Sequence, residues 1–213
     1  MIIDIITLFP NMFSGPFEES IISRAKNKGL VEINIHYLRN WTTDKHHTVD
    51  DKPFGGGAGM VLMVEPIYKA IKELKKKNTK VYLVCPQGST FNQQIAQHMS
   101  QEKHIILISG HYEGFDERIR EHLVDDEISI GDYVLTGGEL PSMVIVDTIV
   151  RLIPGVLGDN ESLSGETHSR KGLVKHPVYT RPENFKGWKV PNILLSGDHA
   201  KISEWKKENN RPR

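Results

Sequence analysis

The sequence predicts an α/β fold whose sheet is mostly parallel and carries helices on both faces. Short apolar runs alternate with segments that place apolar residues at helical spacing, and glycine-containing turns follow several of the runs. This alternation is typical of strand–helix repeats, in which buried parallel strands appear as continuous apolar stretches.

Four apolar runs are the predicted strands: IIDIITLF (2–9), VEINIHYL (31–38), VYLVC (81–85) and HIILIS (104–109). Helices are predicted between them. The segment 17–29 ends on a glycine, a common helix stop, and the segment 65–77 carries a proline at its start. Shorter helices are expected at 91–99 and 116–123, and a long apolar helix at 140–153.

The pattern changes after IPGVLGD (153–159). Residues 159–171 are polar and lack apolar periodicity, which predicts a linker or mobile loop. Residues 172–213 form a small basic region that is too short to hold much of a core alone, so we expect it to pack on something else. The predicted organisation is a main domain over 1–158, a linker over 159–171 and a small, mainly helical C-terminal domain over 172–213.

Composition indicates an ordinary globular chain without membrane spans. Of its 213 residues, 38% are hydrophobic and 25% charged, and no apolar run reaches the roughly 20 residues that cross a bilayer. The N-terminus lacks the basic region of a signal peptide, and the single cysteine excludes an intrachain disulfide, so a cytoplasmic location is predicted. Basic and acidic residues balance at 27 each, so a polyanionic partner would require a local basic patch.

Glycine-containing turns mark the predicted ligand site. They are FGGGAGM (54–60), CPQGS (85–89), SGHYEG (109–114) and IGDYVLTGGE (130–139). In open α/β sheets ligands bind at the carboxyl ends of the strands, and glycines let backbone groups approach a ligand closely. Any one of these loops reads more readily as a tight turn, but the last three together favour one ligand site built largely from backbone.

Other classes of site find no support in the sequence. GGGAGM lacks the spacing of a dinucleotide motif, and no phosphate-binding P-loop is present. There is no H-E-x-x-H or paired Cys/His spacing, so no metal site is predicted. Cys85 ends an apolar run and is more typical of a buried small hydrophobe than of a nucleophile, and no G-x-S-x-G supports a serine hydrolase.

Several motifs then appear in a recognisable order. They are TLFPNMF, RAKNKG, DDKPFGGGAGMVL, PQG, GHYEGFDERI, SIGDYVLTGGELP, IPGVLG and HPVYTRPENFKGWKVP. Through them the chain resembles the bacterial tRNA (guanine-N1)-methyltransferase family over nearly its whole length. The resemblance implies S-adenosyl-L-methionine as methyl donor and tRNA as partner, with N1 of guanine 37, next to the anticodon, as the target.

The resemblance also carries expectations about architecture. It implies the deep trefoil knot of the SPOUT class, although knots are rare among folds. It implies a homodimer with active sites at the subunit interface and a small C-terminal domain that helps to hold tRNA. It leaves open a requirement for Mg²⁺, for which no dedicated ligands are visible. Family members usually continue with more helix after EWKKE, whereas this sequence reads NNRPR, so we expect a shortened C-terminal domain.

Residue by residue, the resemblance places the three later loops around the cofactor. The backbone of the last loop is expected to bind the adenine edge while apolar residues enclose the ring. The expected cofactor-binding residues are Leu83, Pro86, Gln87, Gly88, Gly110, Tyr112, Glu113, Gly114, Ile130, Gly131, Asp132, Tyr133, Val134, Leu135, Gly137, Gly138 and Pro141.

The chemistry of N1 methylation requires two further groups. Guanine N1 carries a proton that a general base must remove, and negative charge then develops toward O6, where a fixed cation lowers the barrier. The family places an arginine just before IPGVLG, here Arg151, and an aspartate in the linker, where this sequence reads GETHS and offers Glu166. One extra residue separates Glu166 from GLVKHP, so Asp159 and Glu161 remain alternatives, as does a merely solvated linker glutamate.

Basic residues, chiefly in flexible segments, are the expected phosphate contacts of tRNA. The candidates are Arg24, Arg39, Lys45, His46, Arg170, Lys171, Lys175 and Arg181. Each residue alone is more readily explained as a solvated surface charge. The sequence leaves two other functions open. One is a knotted methyltransferase that acts on another RNA. The other is an RNA-binding relative without catalysis, and only the glutamate in place of aspartate favours it.

Overall fold

A computed structural model describes residues 1–158, 165–169 and 172–212. The chain divides into two compact units, Met1–Gly158 and the residues that follow Gly158. Each unit is described by itself.

The first unit alternates strands and helices. Its strands and α-helices are, in chain order, β1 (Ile2–Thr7), α1 (Ser20–Asn27), β2 (Glu32–Tyr37), the short pair β3 (Asp50–Asp51) and β4 (Val61–Leu62), α2 (Val64–Leu74), β5 (Lys80–Thr90), α3 (Gln93–Met99), β6 (His104–Ser109), α4 (Glu117–His122), β7 (Asp126–Ser129) and α5 (Glu139–Val150). All four predicted strands and all five predicted helices are present, with ends that differ by a few residues.

Five parallel strands form the central sheet in the order β2-β1-β6-β5-β7. The chain visits neighbouring positions out of sequence order, so β6 lies between β1 and β5. Because every pairing is parallel, the carboxyl ends of β6, β5 and β7 lie side by side at one edge. The prediction of a mostly parallel sheet is confirmed.

Helices cover both faces of this sheet, as predicted. Alternate residues of the central strands point to opposite sides, so Ile105 and Leu107 of β6 pack with α1, α3 and α5, while Ile106 and Ile108 pack with α2 and α4. Because β6 is buried on both faces, its sequence does not alternate between apolar and polar residues.

Strand β5 is interrupted where the sequence predicts a turn. Val84 pairs with Ile128 of β7, the next four residues leave the ladder, and Ser89 pairs with Ile128 again. The strand then continues to Thr90. The predicted turn at 85–89 is therefore an excursion from one strand, because the chain returns to the same partner instead of entering a helix directly.

One buried carboxylate lies within the sheet. Asp4 of β1 accepts hydrogen bonds from His104 at 2.6 Å, from His36 at 2.9 Å and from Asn34 at 3.0 Å. Burial favours the neutral carboxyl, but the hydrogen bonds outweigh it and lower the pKa of Asp4 to about 2. His104 in turn contacts the hydroxyl of Thr79 at 2.7 Å. The network links strands β2, β1 and β6 to the start of β5.

The second unit consists of short elements. They are β8 (Leu173–Val174), β9 (Asn184–Phe185), β10 (Trp188–Lys189), α6 (Asn192–Leu195), α7 (His199–Glu208) and β11 (Arg211–Pro212). β9 and β10 form a small antiparallel pair in which the rings of Phe185 and Trp188 lie 5.8 Å apart. β8 pairs with β11. Among the described residues, no helix has the length and apolarity that it would need to cross a membrane.

Candidate active site

Three loops at the carboxyl edge of the sheet enclose a cavity of about 360 Å³. They are the excursion after Val84 in β5, the turn that follows β6, and the loop between β7 and α5. Because β6, β5 and β7 are neighbours in the sheet, the three loops converge. The volume lies within the range of small-molecule sites, and a cleft at this edge is where α/β sheets bind ligands.

Most of the residues predicted to bind the cofactor line this cavity. They come from all three loops and are Pro86, Gln87, Gly110, Tyr112, Glu113, Gly114, Ile130, Tyr133, Val134, Leu135, Gly137, Gly138 and Pro141. Val134 is 80% and Tyr133 55% exposed, which leaves apolar surface available at the mouth of the cavity.

Four predicted residues do not line the cavity. Leu83 is fully buried in the core beneath α2 and α4, because it lies inside the strand before the chain leaves the ladder. Gly88 packs on β7, where a Cβ atom would lie 2.4 Å from the Ile128 nitrogen. Gly131 and Asp132 lie in the β7–α5 loop but outside the lining.

Close backbone packing joins two of the loops. The Gly138 N–H donates to the Gly110 carbonyl at 2.7 Å, and a Cβ atom on Gly138 would lie 2.6 Å from the Gly110 nitrogen. Only glycine allows this approach. The paired glycines of TGGE therefore bring the loop after β7 against the loop after β6, a packing role that differs from the close approach to a ligand predicted from sequence.

An ion-pair network holds the excursion of β5. The guanidinium of Arg120 donates to Glu127 at 2.7 Å, to Gln87 at 2.7 Å and to Glu117 at 2.9 Å. Burial disfavours the charged guanidinium, but the bond to Glu127 outweighs it and raises the pKa of Arg120. Burial and a bond to Glu127 raise the pKa of the Cys85 thiol, which argues against a nucleophilic thiolate.

Several lining residues were not predicted from sequence: Val84, Cys85, His111, Phe115, Arg120, Ile128, Ser129 and Thr136. His111 lies within the motif GHYEG. A polar side chain in a glycine turn after a strand is a signal from which it could have been predicted. Its ring packs 4.7 Å from the Phe9 ring and 5.5 Å from the Tyr112 ring. Arg120 offered no comparable signal, because only the tertiary fold brings α4 to Gln87.

The two predicted catalytic residues belong to different units. Arg151 is half-buried and caps the carboxyl end of α5, where its N–H donates to the Asp147 carbonyl. Glu166 is half-buried in a turn of the second unit, where its carbonyl accepts from the Ser169 N–H at 3.0 Å. The alternatives Asp159 and Glu161 lie outside the described residues.

The predicted tRNA contacts are distributed over the chain. Arg39, Lys45 and His46 share the segment after β2, and Arg39 donates to the His47 carbonyl at 2.6 Å. Arg24 is exposed on α1, which packs on the opposite face of the sheet from α2. Lys175 and Arg181 are exposed in the second unit, and Arg170 and Lys171 lie outside the described residues.

The side chains that the structure describes contain no group of three or more His, Cys, Asp or Glu residues that could hold a metal ion.

Comparison with known proteins identifies relatives across the entire chain. The family model of tRNA (guanine-1)-methyltransferase TrmD matches residues 1–213. A tRNA (guanine-N(1)-)-methyltransferase of Dehalococcoides mccartyi is 54% identical over 211 residues, which cover 98% of this chain and 85% of that protein. The enzymes of the same name from Dictyoglomus turgidum and Bacillus cereus are each 56% identical, over 97% of this chain and over 83% and 85% of their own lengths.

Proposed function

The chain belongs to the tRNA (guanine-1)-methyltransferase family and is a methyltransferase that acts on tRNA, and from this premise we propose that it methylates N1 of guanine 37 with S-adenosyl-L-methionine. The observation that carries the proposal is the convergence of three backbone-rich loops on one cavity at the carboxyl edge of β6, β5 and β7. Such an edge is the usual ligand site of an α/β sheet.

The lining of the cavity fits S-adenosylmethionine, which supplies the methyl group when bound. Apolar side chains of Ile130, Val134 and Leu135 can enclose an adenine ring, and the peptide groups of the same loop can bind its polar edge. Glu113 lies in the wall and can attract a cationic ligand. The other predicted binding residues that line the cavity complete the pocket, and we propose no direct contact for Leu83, Gly88, Gly131 and Asp132.

Glu166 is the proposed general base. Methylation at N1 requires that the N1 proton leave, and a carboxylate within hydrogen-bond reach of N1 can accept it. The turn at Glu166 is hydrogen-bonded, which supports a defined backbone position for the carboxylate.

Arg151 is the proposed electrostatic partner. Loss of the N1 proton moves negative charge toward guanine O6, and a guanidinium aimed at that oxygen stabilises the charge. Arg151 lies at the end of α5 opposite the cavity loop, about 18 Å away along a 12-residue helix, so this role depends on the active site at the subunit interface that the family implies. No step through Mg²⁺ is proposed.

The family further supports a trefoil knot and a homodimer. We propose that the excursion of β5, the loop after β6 and the loop after β7 form the knot, and the tight packing of Gly88 on β7 and of Gly138 on Gly110 supports this. The dimer is supported by α5, a largely buried helix on which the apolar residues Leu140 and Val144 are 50% and 47% exposed. A second copy would cover such apolar positions.

Transfer RNA is the proposed partner, held through its phosphates by the basic residues identified above. Arg39, Lys45 and His46 share one segment of the first unit, and Lys175 and Arg181 are exposed in the second. Each unit therefore offers cations to the backbone of one tRNA molecule.

Methyl transfer from labelled S-adenosylmethionine to tRNA transcripts tests the proposal. One transcript carries guanine at position 37 and a matched transcript carries adenine there. We expect label only in the guanine transcript, with a primer-extension stop at that nucleotide because N1 methylation blocks base pairing. Label in both transcripts would show that another nucleotide of the tRNA is the target, and label in neither would indicate a relative that acts on another RNA or lacks catalysis; either result overturns the proposal.

A further inference from the structure

The side chain of Glu139 is buried at the rear of the cavity loop, directly after the two glycines. It is 1% exposed and is the first residue of α5. Its Oε1 accepts a hydrogen bond from the Thr7 hydroxyl at 2.7 Å, and that hydroxyl accepts from the Phe9 N–H at 2.9 Å. One carboxylate oxygen is thereby fixed to the end of β1.

The second oxygen of this carboxylate has no partner. Oε2 of Glu139 is the one buried side-chain oxygen or nitrogen without a hydrogen bond among the residues that the structure describes. Leaving a buried acceptor unpaired costs free energy, so such an atom calls for an explanation in terms of a missing donor. Glu139 itself does not line the cavity, so the donor must come from a neighbouring group.

His111 is that neighbour. A Cβ atom on Gly137 would lie 2.4 Å from Oε2 of Glu139 and 2.8 Å from Nε2 of His111, so the carboxylate and the imidazole face each other across a residue without a side chain. The imidazole lines the cavity and is half-exposed. An imidazole donates through Nε2 in the matching neutral tautomer and in the protonated form.

We propose that Glu139 is a positioning residue of the pocket and that His111 donates to its free oxygen when S-adenosylmethionine fills the cavity. The ligand excludes water from the imidazole and leaves the buried carboxylate as its acceptor. The bond ties the loop after β6 to the start of α5, and through Thr7 to β1. This inference rests on the proposed function, because it takes S-adenosylmethionine as the occupant.

A double-mutant cycle on the full chain tests the pairing. Glu139→Gln removes the carboxylate but keeps an oxygen for Thr7, and His111→Phe keeps the ring against Phe9 and Tyr112 but removes the donor. We expect each variant to raise the Kd for S-adenosylmethionine, measured by calorimetry, about tenfold, which is the size of a hydrogen bond to a charged group. The double variant should also show about a tenfold rise, because the second change removes the partner of a bond already lost.

Several results would overturn the inference. If the Kd of the double variant rises about a hundredfold, the two side chains contribute to binding independently and do not bond to each other. An unchanged Kd in either single variant would show that no such bond forms. His98→Phe, which alters an exposed histidine on α3, is the matched control and should leave the Kd unchanged.

Two further readouts separate positioning from fold stability. Because the bond is absent from the ligand-free chain, the Tm of ligand-free His111→Phe should match that of the wild type. A lower Tm would show that the imidazole stabilises the fold even without the ligand. The imidazole nitrogen resonances of His111 should shift toward a hydrogen-bonded donor when S-adenosylmethionine is added to the wild type. No shift would refute the proposal even if Glu139→Gln fails to fold. If the wild type binds no S-adenosylmethionine, the proposed function is overturned as well. If the effects of the two substitutions on the Kd are additive, only the pairing of His111 with Glu139 is overturned.

Discussion

Replacing Asp4 by Asn should destabilise the first unit by an amount that the hydrogen-bond network predicts. The carboxylate is 4% exposed and accepts from His36, His104 and Asn34. Burial raises the pKa of Asp4, but these bonds lower it further, to about 2 from an ordinary 3.8. At about 1.4 kcal/mol per pKa unit, the ionised carboxylate contributes about 2 to 3 kcal/mol to the free energy of unfolding.

The pH dependence has a defined sign. A carboxyl with a lowered pKa stabilises the folded chain above its unfolded pKa, and the stability is lost as the pH falls through the folded value. The contribution of Asp4 is therefore complete at pH 7 and declines between pH 4 and pH 2. In Asp4→Asn the side chain does not titrate, so this decline should be missing.

Urea unfolding followed by circular dichroism at pH 7 and pH 3 measures both effects. At pH 7 the free energy of unfolding of Asp4→Asn should lie about 2 to 3 kcal/mol below that of the wild type, and at pH 3 about half of the difference should remain. Asp51→Asn, at an exposed aspartate, is the control and should change stability by less than about 0.5 kcal/mol. A difference that is equally large at pH 3 and pH 7 would refute the assignment of the stability to this ionised carboxylate.

Three other changes probe the site. Glu166→Gln should abolish methyl transfer while the Kd for S-adenosylmethionine stays unchanged, because an amide cannot take the N1 proton; measurable turnover near the wild-type rate would exclude Glu166 as the base. Gly88→Ala should destabilise the chain by about 1 to 3 kcal/mol, because the added Cβ would clash with the backbone of β7. In the control Gly29→Ala the added Cβ meets no atom within 4 Å, so only the strain of a positive φ should lower the stability. Thermal unfolding of both variants measures the difference. Lys45→Ala with His46→Ala should weaken tRNA binding and reduce the slope of log K against log salt by about one for each lost phosphate contact, and an unchanged slope would remove this segment from the tRNA interface.

The sheet could be predicted because its central strands are buried on both faces. Isoleucine and leucine occupy consecutive positions of β6, and such a run is readable from sequence. The strand order could not be read in the same way, because placing β6 between β1 and β5 depends on contacts between distant residues. The buried Asp4 network was also beyond prediction, since a lone aspartate in an apolar run does not reveal its histidine partners.

The site could be predicted where backbone chemistry defines it. Glycines after strands predict loops whose backbone can be approached closely, and these loops do converge on one cavity, although the close contact between Gly110 and Gly138 joins two loops and not a loop and a ligand. Side-chain geometry was predicted less well. Leu83 was assigned to the pocket from the motif, yet it lies inside the strand and its side chain joins the core. Glu139 resembled an ordinary acidic residue in the first turn of a helix, and only tertiary packing shows it to be buried.

The excursion of β5 constrains the length of the chain at this point. Val84 and Ser89 pair with the same residue, Ile128, so the departing and returning parts of the strand are anchored to one position of β7. Deleting a residue between them would leave fewer residues for the chain to leave β7 and return to it, and would pull Ser89 and Thr90 against their partners. An added residue would only lengthen the unpaired segment, so we expect this wall of the cavity to tolerate substitution and insertion better than deletion.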